Sequence, residues 1–141
     1  MNLSERVKEA EGLRLKPYRC PAGKLTIGYG RNLEDRGITE AEAEHLLEND
    51  LDAARWEVQK RVPGFADLSL ERRNVLVEMA FNLGIGGVMR FTGMLAAIRL
   101  GDYETAAVEM LDSKWAKQVG RRARMLATIM ETGSDGLPIP K

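Results

Sequence analysis

The chain has 141 residues and a mass of 15.7 kDa; 44% of its residues are hydrophobic and 30% charged, and 21 Lys plus Arg balance 21 Asp plus Glu. That is the composition of one soluble domain, long enough to bury roughly two-thirds of its unfolded surface. One cysteine, Cys20, excludes an intramolecular disulfide framework and any multi-cysteine metal site, and with one histidine, His45, zinc is poorly supported as well.

The first residues, MNLSERVKEAEG, alternate apolar and charged side chains at helical spacing and carry no export signal, and no apolar run approaches the roughly 18 residues that cross a bilayer. Asn2 and Glu5 have capping-box spacing, so a short helix starts there and ends beside Glu11, where Gly12 offers a stop. Pro17, Pro21, Gly23, Gly28 and Gly30 then punctuate the run Lys24-Leu-Thr-Ile-Gly-Tyr-Gly-Arg-Asn, a mixture of breakers and β-formers that predicts a small twisted hairpin. Thr39 and Glu42 form a second capping box. Ala43, Leu47, Leu51, Ala54 and Val58 keep the helical period until Pro63, which predicts a helix of more than twenty residues.

Everything after Ser69 is periodic on helical templates. Leu76, Met79, Ala80 and Leu83 make one stripe that stops at Gly84, Gly86 and Gly87, and Met94 to Leu100 make another helix. Asp102 caps a helix carrying Tyr103, Ala106, Ala107 and Met110, and Leu126, Ile129 and Met130 mark the last one before Gly133. The tail from Ser134, with two prolines, reads as loose. The fold class is therefore α+β, predominantly α. A small N-terminal β lobe, about 13–60 with its connecting helix, joins a helical lobe made of 1–12 and 61–141 in a single domain.

Charge is unevenly placed. Nine acids between Glu34 and Glu57 face only Arg36 and Arg55, which suits a solvated helix. Lys114, Lys117, Arg121, Arg122 and Arg124 form a run without an acid, a local field that an anionic polymer would feel. A nucleic-acid binder is disfavoured all the same, because net charge is zero, no DNA-binding motif is present and Trp115 is the only aromatic interleaved with the cations.

Three residues could carry chemistry. A Glu before Gly is ordinarily a surface helix end, but Glu11 lies where a helix meets a turn at a lobe boundary, and partial burial there would keep a general acid protonated. Thr26 suits a strand by propensity, yet its hydroxyl can also fix one water. Cys20 alone would be an ordinary small thiol, but Pro21 holds it extended, so a turn can aim it at the same cleft.

Glu11, eight residues, Cys20, five residues, Thr26 resembles the Glu-x8-(Asp or Cys)-x5-Thr catalytic pattern of phage-type lysozymes, the endolysins of glycoside hydrolase family 24. Glu11-Gly-Leu-Arg-Leu-Lys-Pro-Tyr, Leu25-Thr-Ile-Gly-Tyr-Gly, Phe81-Asn-Leu-Gly, Arg90-Phe-Thr, Ser113-Lys-Trp-Ala-Lys-Gln, Arg121-Arg-Ala-Arg and Thr132-Gly are similar to that family and occur in its order.

The resemblance implies hydrolysis of the β-1,4 bond between N-acetylmuramic acid and N-acetylglucosamine in bacterial peptidoglycan, without metal or other cofactor. The enzyme would be a monomer that needs neither nucleic acid nor membrane insertion. It would be made in the host cytoplasm and reach the wall through a separate holin pore. Glu11 is implied as the general acid, with Thr26 and Cys20 flanking the attacking water. Leu33, Asn82, Phe91 and Thr92 are implied as walls for the glycan, and Arg122 as the arginine that approaches the catalytic acid.

Cys20 stands where Asp is usual, and an ordinary thiol with a pKa of about 8.5 is only a few per cent ionised at pH 7. Its role is to orient water with Thr26 or to supply partial negative charge, and a nucleophilic sulfur is the less favoured reading. Carboxyl separation cannot predict the stereochemical outcome when one partner is a thiol. Arg31 stands where the family usually has His, and Asp50 fills an acid slot, so an Arg31–Asp50 pair is expected to tie the hairpin to the long helix. The alternative to an enzyme is a peptidoglycan-binding protein that kept the fold without the activity.

Overall fold

A computed structural model describes residues 1–134; of the tail read above as loose, which begins at Ser134, all but Ser134 itself lies outside the described residues. The contacts group the chain into two units, Met1–Leu46 and Leu47–Lys141, with the boundary inside one long helix. The α+β, mainly helical class expected from the periodicities is what the structure has.

In the N-terminal unit, helix α1 (Leu3–Glu11) begins at the predicted capping box: Asn2 accepts from the Glu5 amide and the Glu5 carboxylate accepts from the Asn2 amide. It ends where the Gly12 N–H returns to the Lys8 carbonyl. Strands β1 (Arg14–Arg19), β2 (Leu25–Gly28) and β3 (Arg31–Asn32) follow as one antiparallel sheet in the order β1-β2-β3, a strand more than the hairpin expected. Pro17 is tolerated because β1 is an edge strand and its pairing is irregular between Arg14 and Tyr18, where a missing N–H leaves no gap in the ladder. A single-turn helix, α2 (Leu33–Arg36), is capped by Asn32, and α3 (Glu40–Arg61) starts from the Thr39–Glu42 capping box.

This unit has no buried apolar cluster, and its buried side chain is Thr26, 4% exposed. Backbone pairing and charge hold it instead. Arg19 and Lys24 of the β1–β2 hairpin meet Glu34 and Asp35 of α2, at 3.2 to 3.4 Å. The Arg31 guanidinium forks onto Glu42 at 2.9 and 2.6 Å and also donates to the Gly37 carbonyl at 3.1 Å. The physical reason is preorganisation: the capping box already holds the Glu42 carboxylate on the Thr39 amide, so a planar fork meets a fixed acceptor. The Arg31 contact and the Thr39 amide together pull Glu42 down to about 2.

The C-terminal unit continues α3, with its 22 residues running to Arg61 just before Pro63. Ala43 and Leu47 of the predicted stripe are exposed, and burial begins with Leu51, half-buried, then Ala54 and Val58. A short 3-10 turn at Phe65–Asp67 leads into α4 (Leu70–Leu83), capped by Ser69. Helices α5 (Ile85–Met89), α6 (Thr92–Arg99), α7 (Tyr103–Leu111), α8 (Lys114–Val119) and α9 (Arg121–Thr132) complete it. Methionines dominate the centre: Met79, Met94, Met110 and Met130 are fully buried with Val58, Leu76 and Val88. Unbranched thioethers fill the irregular spaces between short helices that meet at different angles. Arg72 fastens the end of α9 by donating to the Met130 and Glu131 carbonyls at 2.7 and 2.9 Å, with its plane over Tyr103 at 3.6 Å.

Candidate active site

The β1–β2 hairpin brings Cys20 and Thr26 to one place. A turn closes between them, with the Gly23 amide donating to the Cys20 carbonyl at 2.8 Å and the Cys20 amide to the Lys24 carbonyl at 3.0 Å. Thr26, the buried residue of β2, donates its hydroxyl to that same Lys24 carbonyl at 2.8 Å. The amide of Lys24 leads the groups that lower the thiol's pKa; partial burial raises it, and the Ala22 amide and the Thr26 hydroxyl lower it further. One hydroxyl proton cannot serve two acceptors. With a neutral thiol it goes to the Lys24 carbonyl, as the 2.8 Å geometry has it, and it turns to the sulfur when the thiol ionises. The cation of Lys24 and the Cys20 thiolate also favour one another.

Glu11 ends α1 with an exposed side chain. Its carboxyl rests on the turn between β2 and β3, so close to the bare Cα of Gly30 that a Cβ there would lie 2.7 Å from Oε2 and 2.9 Å from Cδ. One helical turn earlier, the Lys8 ammonium lies 5.5 Å from the centre of the Tyr29 ring. Leu33, the first residue of α2, is half-buried.

In the C-terminal unit the predicted wall residues gather near one cavity of about 440 Å³, lined among others by Arg90, Phe91, Thr92, Glu109, Lys114 and Trp115. Phe91 meets Trp115 edge-on, with centroids 5.9 Å apart at 87°. Asn82 is not in the lining; its side-chain oxygen takes the Trp115 indole N–H at 2.8 Å and thereby fixes the ring that is.

Within the C-terminal unit the Nε of Arg122 donates to Glu78 at 2.9 Å, a carboxylate that α4 presents to the adjoining α9. Two further residues of these sites had no sequence signal of function. Gly30 was legible only as a turn former, and Glu42 only as half of a capping box.

A family model described as phage lysozyme matches residues 8–129 of the chain. The endolysin of Acyrthosiphon pisum secondary endosymbiont phage 1 is 34% identical over 132 residues, 86% of this chain and 86% of that protein. The pre-baseplate central spike protein Gp5 of Enterobacteria phage T4 is 31% identical over 95% of this chain, which spans only 28% of Gp5. The SAR-endolysin of Bacteriophage PS119 is 30% identical over 89% of this chain and 74% of its own length.

Proposed function

This chain belongs to the phage lysozyme family, and from that premise we propose that it is an endolysin, a family 24 glycoside hydrolase that cleaves the β-1,4 bond between N-acetylmuramic acid and N-acetylglucosamine in peptidoglycan. The observation that carries the reading is the convergence of Cys20 and Thr26 on the Lys24 backbone, at the spacing from Glu11 that the family's catalytic pattern has.

Each residue has a distinct task. Glu11 protonates the leaving glycosidic oxygen as the C–O bond breaks. Thr26, whose single proton goes to the Lys24 carbonyl or, once the thiol ionises, to the sulfur, keeps its lone pairs for a water and fixes its direction of approach. Cys20 has neighbours that favour its thiolate, which fits it to draw a proton from that water or to stabilise the positive charge that develops at the anomeric carbon. Phe91 and Thr92 form an apolar and a polar wall for the sugar chain; Asn82 contributes by holding Trp115, and Leu33 supplies an apolar contact from α2. The reaction needs no cofactor from the protein and proceeds in one catalytic domain acting as a monomer. Synthesis in the host cytoplasm with release through a holin pore accounts for access to the wall.

The test is turbidity clearing of permeabilised Gram-negative cells. Loss of a general acid lowers the rate by about 10² to 10⁴, so Glu11→Gln should abolish visible clearing while its unfolding midpoint stays near that of the wild type. Clearing at the wild-type rate would remove Glu11 from the mechanism. Binding to purified walls without release of saccharide, by the wild type itself, would establish the non-catalytic alternative.

A further inference from the structure

The catalytic assignment of Glu11 leaves open what aims its carboxyl, since an exposed Glu at a helix end has three rotatable bonds and no structure of its own to fix them. No ion pair holds it among the described residues; a bare stretch of backbone stands there instead. We propose that Gly30 is a positioning residue for the glycosidase reaction: its lack of a side chain makes the seat against which the Glu11 carboxyl is fixed. The proposal rests on the reading of Glu11 as the general acid.

Two independent properties of position 30 support this. The backbone there has φ +79°, in the left-handed region that glycine enters freely. Strain alone, however, does not explain the site, because Gly28, the last residue of β2 just before that turn, has φ +71° and a Cβ built on it would meet nothing within 4 Å. A Cβ on Gly30 would lie 2.7, 2.9 and 3.3 Å from Oε2, Cδ and Cγ of Glu11, three atoms of one side chain and its reacting end. The same turn engages α1 a second time through Tyr29, whose ring lies under the Lys8 ammonium at 5.5 Å. Helix end and turn are thus held at two points, and the carboxyl is the group between them that yields if a methyl group is added. A side chain pushed aside by about 1 Å can lose a factor on the order of 10² in rate, because a proton in flight demands a short, aligned path.

The pair Gly30→Ala and Gly28→Ala separates seating from strain, since both pay for an alanine in the left-handed region and only one touches Glu11. In the full chain, with rates per folded molecule on purified peptidoglycan, Gly30→Ala should lose about 10- to 100-fold in kcat with KM nearly unchanged. Gly28→Ala should stay within about threefold of wild type.

A second measurement does not depend on catalysis: in a Glu11→Ala background the extra fall in unfolding midpoint caused by Gly30→Ala should shrink to that of Gly28→Ala. If Gly30→Ala does not fold, Gly30→Asn carries the same Cβ on a residue that tolerates this conformation. Equal kcat for the two alanine variants, or a midpoint penalty indifferent to Glu11, overturns the proposal alone. Undiminished clearing by Glu11→Gln overturns the parent reading and this one with it.

Discussion

Replacing Thr26 by valine removes one hydroxyl and little else, because the two side chains have the same shape and the same β-branched preference for a strand. The hydroxyl donates to the Lys24 carbonyl at 2.8 Å from a site that is 4% exposed, which would make its loss costly if the carbonyl were then orphaned. It is not orphaned, since the Cys20 amide donates to the same oxygen at 3.0 Å. The stability cost therefore falls at the low end of a neutral hydrogen bond, about 0.5 to 1 kcal/mol. For a domain of this size that lowers Tm by roughly 2 to 5 °C. If the hydroxyl orients the attacking water, release of reducing ends from purified peptidoglycan falls by about 10² or more, and Thr26→Ser recovers much of it. Activity within about threefold of wild type in Thr26→Val, alongside the small Tm loss, would refute the water-orienting role and leave Thr26 a strand residue.

Further outcomes follow from the same contacts. The alkylation rate of Cys20 by iodoacetamide should rise with pH through a midpoint below that of an unperturbed cysteine peptide measured alongside, and glycan fragments should slow it; a midpoint equal to or above the peptide's would remove the donors credited with stabilising the thiolate. Cys20→Asp, a full carboxylate at pH 7, should clear cells, whereas Cys20→Ala should be much slower. Glu42, held near 2 by Arg31, contributes stability that is present above the ordinary carboxylate range of about 4.3 and is lost as pH falls through the folded value. Acid titration of the unfolding midpoint should show that loss between about pH 4.5 and 2, and Arg31→Gln should flatten it; identical acid curves would mean the fork carries no stability. Asn82→Ala leaves the indole N–H of Trp115 without its acceptor and should cost about 1 kcal/mol, and unchanged stability would mean that water replaces the amide there.

The elements that were legible in the sequence are those with a stated beginning and end. Asn2 with Glu5, and Thr39 with Glu42, started α1 and α3, and Pro63 limited the latter, because caps and breakers act on the backbone within a turn of themselves. What escaped were pieces shorter than two helical turns: β3 with two residues, α2 with four and α8 with six. The glycines Gly86 and Gly87 read as a stop but lie inside α5, where Gly87 lets the chain pack on Leu83; a Cβ would come within 2.7 Å of the leucine's own.

Partners of charged residues were the least legible part of the site. Neither the pairing of Arg31 with Glu42 nor that of Arg122 with Glu78 had a signal in the sequence, since a long guanidinium takes whichever carboxylate packing has already fixed in reach. The spacing Glu11–Cys20–Thr26 was readable as a pattern. That a single carbonyl, Lys24, gathers Cys20 and Thr26 required the register of the hairpin, in which Tyr18 faces Thr26 and Arg19 faces Leu25.

In the proposed reaction the wild-type enzyme breaks one particular bond of the glycan by adding water to it. Digestion of purified peptidoglycan in ¹⁸O-enriched water, followed by mass analysis of the fragments, reads this directly. One heavy oxygen per cut is expected, on the new reducing end of N-acetylmuramic acid, and almost none in the Glu11→Gln digest. Label on N-acetylglucosamine ends, or on the peptide fragments with the glycan intact, would contradict it.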